Sequence, residues 1–355
     1  MRHIPAIDGL RAVAIGSVIA FHLEWPGAAL GWAGVPLFFV ISGFLITSIL
    51  LSQKEEARGF GAYYANFVRR RALRIFPLYY AYLAGSIVLG AVVGQTLSSG
   101  WSYWIYLQNY TLGASRFSGS FTMGHTWSLA VEEQFYLLWP LIVWLCSRRA
   151  LIAVCGILIA LGPVSRMLIL EGTGNPFLAF TPLSSSADLL AMGALLGLAH
   201  RAGRLPGKRH CLTGLALSAA AIAFAAPYSS YWTPTGYLML TFGPLVFTTL
   251  GIGSVALIGL VVNDGWLARA ARNRVAMYVG KISYGLYIYH GLFLVGTARI
   301  KGMLPGVFGQ IAWSVLVIGL SVIAAHLSYH LFEKRFLALK DRKSAMPKPA
   351  EASPV

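Results

Sequence analysis

Residues 34–52 read GVPLFFVISGFLITSILLS, nineteen residues with no ionisable side chain among them. A helix rises about 1.5 Å per residue, and a bilayer core of about 30 Å is crossed by roughly 20 apolar residues. With no water available there, each backbone amide must bond inside its own segment, so such a run is a membrane-crossing helix. Glycines among its aromatic residues suit it to close helix packing, and no chemistry is assigned to it. The pattern recurs along the chain, with apolar runs at 7–24, 34–52, 75–94, 128–147, 150–170, 183–200, 211–227, 236–262, 282–299 and 307–332. The first and fourth are the least hydrophobic, because both contain ionisable groups.

Composition agrees with this reading. Of 355 residues 57% are hydrophobic and 11% charged, whereas a soluble domain carries about a quarter charged residues. A water-soluble globular protein is excluded, and so is a disordered chain, which cannot keep so much apolar surface solvated. The expectation is an all-α integral membrane protein, a bundle of about ten transmembrane helices over residues 1–336, with a disordered cytoplasmic tail over 337–355. There is no internal repeat and no soluble second domain. The first run holds Asp8, Arg11 and His22 and lacks a small-residue cleavage pattern, so it reads as a retained helix rather than a signal peptide. Cys146, Cys155 and Cys211 lie in or beside apolar runs without metal-type spacing, so neither disulfides nor a metal are expected.

The 28 Lys and Arg against 12 Asp and Glu give a net charge of +16. In a soluble protein that excess would suggest nucleic acid; in a membrane protein it belongs in cytoplasmic loops, and no nucleic-acid partner is expected. Ten alternating crossings place 24 basic residues on one face and four on the other, namely Arg116, Arg166, Arg299 and Lys301. That split puts both termini in the cytoplasm. The polar-aromatic segment 95–127 is expected to hold a short re-entrant or interfacial helix at WSYWIYLQNY (101–110).

Ionisable groups inside crossings are costly and face a cavity or a partner. Here they are Asp8, Arg11 and His22 in the first run, Glu132 and Glu133 in the fourth, Asp188 in the sixth, His290 in the ninth, and His326, His330 and Glu333 in the tenth. Eleven residues at about 100° each end about 20° past three full turns, so Arg11 and His22 share one helix face, roughly 16 Å apart. A cation at the inner mouth and an imidazole deeper on one stripe suit a long substrate threaded through the bilayer. Snorkelling of the two side chains to opposite interfaces would account for the pair as well. In FVRRRALRIFPLYY (67–80), Arg71 and Arg74 stack one turn apart as the third crossing begins. Arginine forks bind phosphate oxygens bidentately, and a helix amino end adds affinity for anions. Positive-inside signalling alone explains Arg69 and Arg70, and the RxxR pair less well. In GHTWSLAVEEQFYLLWP (124–140), Glu132 and Tyr136 share a face while Glu133 points about 100° away. The two carboxylates are either dipole-stabilised surface groups or, for Glu132 above all, a face turned to a polar cavity. In SYGLYIYH (283–290), Tyr287 and His290 line a pocket or simply pack. No Walker A, dinucleotide fingerprint, GxSxG elbow or HExxH occurs, so ATP hydrolysis, redox chemistry and zinc proteolysis are unsupported.

The ordered set IDGLRAVAI with FH, GVPLFFVISGFLI, RRRALRIFPLYY, HTWSLAVEEQFYLLWP, SADLLAMGALLG, ISYGLYIYH and FEKRF resembles the acyltransferase 3 family over about residues 5–336. The resemblance implies a ten-helix bacterial membrane enzyme that O-acylates carbohydrates such as O-antigen or exopolysaccharide, located in the cytoplasmic (inner) membrane. Arg11 and His22 match the family's R-x10-H motif, with His22 catalytic. Arg71 and Arg74 match its RxxR motif, implied in holding the phosphates of acetyl-CoA or another acyl-CoA. Trp127, Ser128, Glu132, Phe135 and Tyr136 match W-S-L-x-x-E-x-x-F-Y. Two departures stand out: Ser186 occupies the place where an Arg often precedes Asp188, and Arg335 stands where Pro often follows Glu-x. The implied chemistry has acyl-CoA docked on Arg71 and Arg74 with Arg11, and His22 at the thioester as general base or acyl carrier. Glu132 is preferred over Asp8 as the group that fixes its tautomer. Trp127, Ser128, Tyr136, Asp188 and His290 are expected to contact the carbohydrate acceptor. The rival is a transporter or flippase of lipid-linked sugars using the same buried groups as a pathway, although the inverted repeats common in transporters are missing.

Overall fold

The computed structural model of this protein describes residues 3–225, 243–263, 265–301, 303 and 306–342. Among these the regular structure is helical, and ten helices of fourteen or more residues carry most of it. They are α1 (Pro5–His22), α2 (Gly34–Glu56), α3 (Phe60–Val93), α4 (Trp127–Leu145), α5 (Arg148–Thr173), α6 (Leu183–Arg201), α7 (Lys208–Ala225), α8 (Gly243–Val262), α9 (Ser283–Gly296) and α10 (Gly306–Leu327). Among the described residues six stretches are long and apolar enough to cross a membrane: Ala28–Glu56, Phe60–Val93, Arg148–Thr173, Pro176–Arg201, Gly243–Val262 and Gly306–Leu339. The other four expected crossings fall on α1, α4, α7 and α9. Asp8, Arg11, Glu132 and Glu133 make α1 and α4 less apolar, and α9 has only 14 residues. The expected runs 211–227 and 236–262 reach into residues 226–242, and those residues, like 343–355 of the expected tail, lie outside the described residues.

Two boundaries differ from the sequence reading. α3 is 34 residues long and starts at Phe60 rather than near 75. An apolar-run criterion sees only the lipid-embedded part of a helix, whereas residues 60–74 mix aromatic and basic side chains that a helix tolerates equally well. At the other end, α10 passes through a π-helical turn, Ser328–Glu333, into a helix at Lys334–Arg342. Residues 337–342, expected in the tail, are therefore helical.

Between lipid-embedded helices association rests on close packing and hydrogen bonds rather than on the hydrophobic effect. α2 and α6 meet through glycine: a Cβ at Gly43 would collide with the Leu190 carbonyl, and one at Gly193 with that of Val40. α4 is tied to α2 by the Trp139 indole, whose Nε1 donates to Thr47 Oγ1 at 2.8 Å. α5, α6 and α8 are joined by a fully buried ion pair. Arg166 Nη2 lies 2.7 Å from Asp188 Oδ2, and both side chains are 0% exposed. Arg166 also donates to Asp188 Oδ1, to Thr248 Oγ1 and to the carbonyls of Pro244 and Ser185. Thr248 Oγ1 in turn donates to Asp188 Oδ2. Arg166, which the charge count sets on the non-cytoplasmic face, is thus inside the bundle, where it supplies the partner that a buried carboxylate needs.

Between α3 and α4 two short helices form, Trp101–Trp104 and Gln108–Ala114, in place of the one expected over 101–110, followed by a 3₁₀ turn at Phe121–Thr126. The break falls at Tyr106, whose φ of 55° is left-handed and cannot continue a right-handed helix. Its ring stacks on Tyr79 with centroids 4.5 Å apart. Tyr103 and Tyr106 are consequently buried, while Trp101 and Trp104 stay exposed.

Candidate active site

α1 is the spine of the site. Two cavities lie along it, one of about 60 Å³ against Arg11 and one of about 400 Å³ against His22. The shared helix face read from the eleven-residue spacing therefore serves two consecutive spaces. Val35 and Tyr287 line both, so the partition between them is about one side chain thick. Tyr287 is held there by Ser128, whose Oγ lies 2.7 Å from the phenol oxygen, and by a hydrogen bond from that phenol to the His125 carbonyl.

The smaller cavity is lined by Arg11 from α1, Phe38 and Phe39 from α2, Ser128 and Glu132 from α4, and Tyr284 from α9. Glu132 faces it, as expected, and accepts a hydrogen bond from Ser42 Oγ. Tyr136 OH donates to the same Ser42 oxygen at 3.1 Å. The Arg71 guanidinium sits 5.5 Å from the Tyr136 ring centroid. Arg11 interacts electrostatically with Arg74 and Glu132, Arg71 with Arg74, Glu132 and Glu133, and Arg74 with Glu333 of the π-helical turn. Three arginines thus gather against three carboxylates at one end of the site. The RxxR pair stands well inside α3 and not at its amino end, so the anion affinity of a helix terminus does not act on it. What remains is the fork chemistry of the guanidinium groups themselves.

The larger cavity is walled mainly by aromatic residues, among them Trp32, Phe117, Trp127, Phe177 and Phe247. A mostly apolar concavity of this size with a few convergent polar groups is the usual form of a small-molecule site. Three imidazoles stand among its polar groups. His290 is 0% exposed, and its ring centroid lies 5.1 Å from that of His22 and 4.6 Å from that of His125. Nδ1 of His290 lies 2.7 Å from the Tyr287 carbonyl, and because a carbonyl only accepts, Nδ1 carries the proton. Buried nitrogens of all three rings are left without a partner: His22 Nδ1, His125 Nε2 and His290 Nε2. Burial, and after it the His22 ring, pushes His125 down to about 3, so that imidazole is neutral. Gly291 makes room for it, since a Cβ there would meet the His125 ring. Among the described residues no three His, Cys, Asp or Glu side chains are disposed to hold a metal ion. Glu24 and Arg116 also border this cavity, the latter at a φ of 53°.

The structure brings together most of the residues singled out from sequence, but not all in the expected pairs. Trp127, His22 and His290 share the larger cavity; Arg11, Ser128 and Glu132 share the smaller one. Glu132 and His22 therefore line different spaces, and Glu132 is not the group that orients the imidazole; its partner is Ser42. Asp8 bonds His3 at 2.7 Å. Asp188 lines neither cavity and is engaged by Arg166. Tyr136 touches Ser42 and Arg71 behind the cavity wall. Trp104 stacks on Tyr80, away from both cavities. His125 is the residue that sequence reading passed over as a site group, and its only signal was a histidine just before an aromatic, carboxylate-bearing crossing.

The family model described as "Acyltransferase domain" matches residues 4–330. Among curated proteins the chain is similar to a putative peptidoglycan O-acetyltransferase of Bacillus subtilis, 30% identical over 94% of this chain and 55% of that protein. It is also similar to a peptidoglycan O-acetyltransferase of Listeria monocytogenes, 27% identical over 94% of this chain and 55% of that one. A putative O-acetyltransferase of Staphylococcus aureus is 27% identical over 95% of this chain and 58% of its own. The chain spans a little over half the length of these relatives. No solved structure matches it significantly.

Proposed function

We propose a reading that proceeds from one premise: the chain belongs to the acyltransferase family. In this reading it is a multi-pass enzyme of the bacterial cytoplasmic membrane that moves an acetyl or other short acyl group from acyl-CoA to a carbohydrate hydroxyl. Ten crossings, with both termini cytoplasmic, turn the arginine-rich end to the cytosol. Arg71 and Arg74, with Arg11, hold the phosphates of acyl-CoA, and Glu132 balances the charge of Arg11 and Arg71. The pantetheine arm reaches past the smaller cavity, and the thioester meets His22. His22 acts there as general base or receives the acyl group and passes it on. The acceptor enters the larger cavity, where Trp127 offers an aromatic face. Because two of the relatives named above, those of Bacillus subtilis and Listeria monocytogenes, bear the name peptidoglycan O-acetyltransferase, the first of them as putative, the hydroxyls of peptidoglycan are the first acceptors to try.

The observation that carries this reading is the file of two cavities along α1, with Arg11 in one, His22 in the other and Val35 and the hydrogen-bonded Tyr287 between them. A soluble anionic donor at one end and a hydroxyl acceptor at the other require such an arrangement. The test is thermal stabilisation of the purified protein by CoA and acetyl-CoA, together with acyl transfer in reconstituted membranes. His22→Ala is expected to abolish transfer while leaving CoA stabilisation intact, and Arg71→Ala with Arg74→Ala to remove that stabilisation. Near-normal acylation by His22→Ala, or no response of the wild type to CoA, would overturn the reading and favour a flippase.

A further inference from the structure

We propose that His290, rather than a carboxylate near His22, is the base that takes the proton of the acceptor hydroxyl. This inference rests on the acyltransferase reading and takes the base role from His22, which is left to pass the proton to the departing sulfur.

Three features of the site lead to it. First, the His290 tautomer is set. Nδ1–H is committed to the Tyr287 carbonyl at 2.7 Å, so Nε2 holds the lone pair, the form a base requires. Second, that nitrogen is fully buried and unbonded. Buried polar groups are nearly always paired, and an orphan calls for an explanation such as a catalytic role or an absent ligand. His22 Nδ1 and His125 Nε2 are likewise buried orphans, and all three rings belong to residues that line one cavity. Third, His290 is the middle ring, in contact with both His22 and His125. A hydroxyl resting against it is next to the group that meets the thioester. The carboxylates do not compete: Glu132 lines the other cavity, and Glu24 is ion-paired with Lys301 at 2.8 Å. The titratable and charged groups that border the cavity with His290 are His22, His125, Tyr287, Glu24 and Arg116.

The step balances as follows. The acceptor oxygen forms a bond to the thioester carbonyl carbon while its proton moves to His290 Nε2. The carbon–sulfur bond breaks and the sulfur leaves as the CoA thiolate. The imidazolium on His290 passes its proton through His22 to that thiolate, so both rings return to neutral and the products are an ester and CoA thiol.

The test uses the full chain in lipid nanodiscs with acetyl-CoA and two small nucleophiles. Glycerol attacks through a hydroxyl and needs a base, whereas hydroxylamine attacks through a neutral amine and does not. The informative variant is His290→Asn, whose side-chain amide can still donate to the Tyr287 carbonyl but offers nothing at the Nε2 position. The expected result is a fall in acetylglycerol formation of about 10²- to 10⁴-fold, the usual worth of general-base catalysis. Acetohydroxamate formation is expected to stay within about threefold by the same reasoning, and His22→Asn to lower both products. Equal losses with the two nucleophiles would make His290 a packing residue, and no loss with either would make it a bystander; either result overturns the proposal. If His290→Asn does not fold, as judged by thermal unfolding, His290→Gln is measured with the same two nucleophiles and judged by the same outcomes. Should the wild type acetylate neither nucleophile, it is the acyltransferase reading that fails, a result distinct from both.

Discussion

Asp188 offers the sharpest separation between a structural and a functional residue. Replacing it by Asn keeps its shape and removes its charge. Arg166 would then face an amide that can accept one of its two hydrogen bonds and opposes the other with a donor. The carbonyls of Pro244 and Ser185 and the Thr248 hydroxyl remain, but the guanidinium charge is left buried without a counter-ion. Removing one member of a buried pair costs about 3–5 kcal/mol, on the order of a 10²- to 10⁴-fold shift in the folding equilibrium. Replacing both members by apolar residues of similar volume is often neutral, so Arg166→Met with Asp188→Leu should recover most of that loss. Equilibrium unfolding in mixed detergent micelles measures both variants, and acyl transfer in nanodiscs measures the consequence. Because Asp188 lines neither cavity, the double variant should keep transfer within a few-fold of wild type wherever it folds. A double variant as stable as wild type but at least a hundredfold slower would refute this reasoning and return Asp188 to the acceptor site.

Other outcomes follow from particular contacts. Gly43→Ala would drive a methyl into the Leu190 carbonyl and separate α2 from α6, at a cost of at least the 1–3 kcal/mol of ordinary overpacking. Gly16→Ala, with nothing within 4 Å, should unfold at the wild-type detergent concentration, and equal behaviour of the two variants would discredit the packing argument. Gly291→Ala pushes the His125 ring out of the larger cavity while retaining every ionisable group. Acyl transfer should fall at least tenfold with CoA stabilisation unchanged, and unaltered transfer would remove His125 from the site. Tyr287→Phe gives up its bonds to Ser128 and the His125 carbonyl, each worth about 1 kcal/mol. Limited proteolysis in nanodiscs should detect the loosened partition, and a cleavage pattern identical to wild type would argue against it.

The apolar runs of the sequence translated well into helices because lipid imposes one secondary structure on any such run: 34–52 lies within α2, and 183–200 within α6. Arg11 and His22 were legible as one stripe because their relation is local to a single helix. What failed was tertiary. His22, His125 and His290 come from segments more than a hundred residues apart, and no spacing rule connects them. The preference for Glu132 as the partner of His22 rests only on the distance of Asp8, roughly 21 Å along the same helix, whereas the rotation of α4 turns Glu132 to Ser42 and the smaller cavity. Arg166 illustrates a signal misread: an arginine within an apolar run needs a partner, and Asp188 is the one carboxylate of the following crossing. The departure at Ser186, where an arginine is common in the family, has its physical answer in Arg166 reaching over from α5. The left-handed Tyr106 left no trace in a tyrosine-rich string, because its conformation is fixed by stacking on Tyr79.

A partition one side chain thick also bears on the energy economy of the cell. A membrane that stores a proton-motive force does not tolerate an aqueous thread from one face to the other. Tyr287, latched to Ser128, stands between the two cavities. On the proposed reading, the thioester displaces the latch only while the pantetheine arm itself plugs the gap. On that reading turnover proceeds without leak, and the tyrosine hydroxyl is a stopper for ions as well as a wall for substrates.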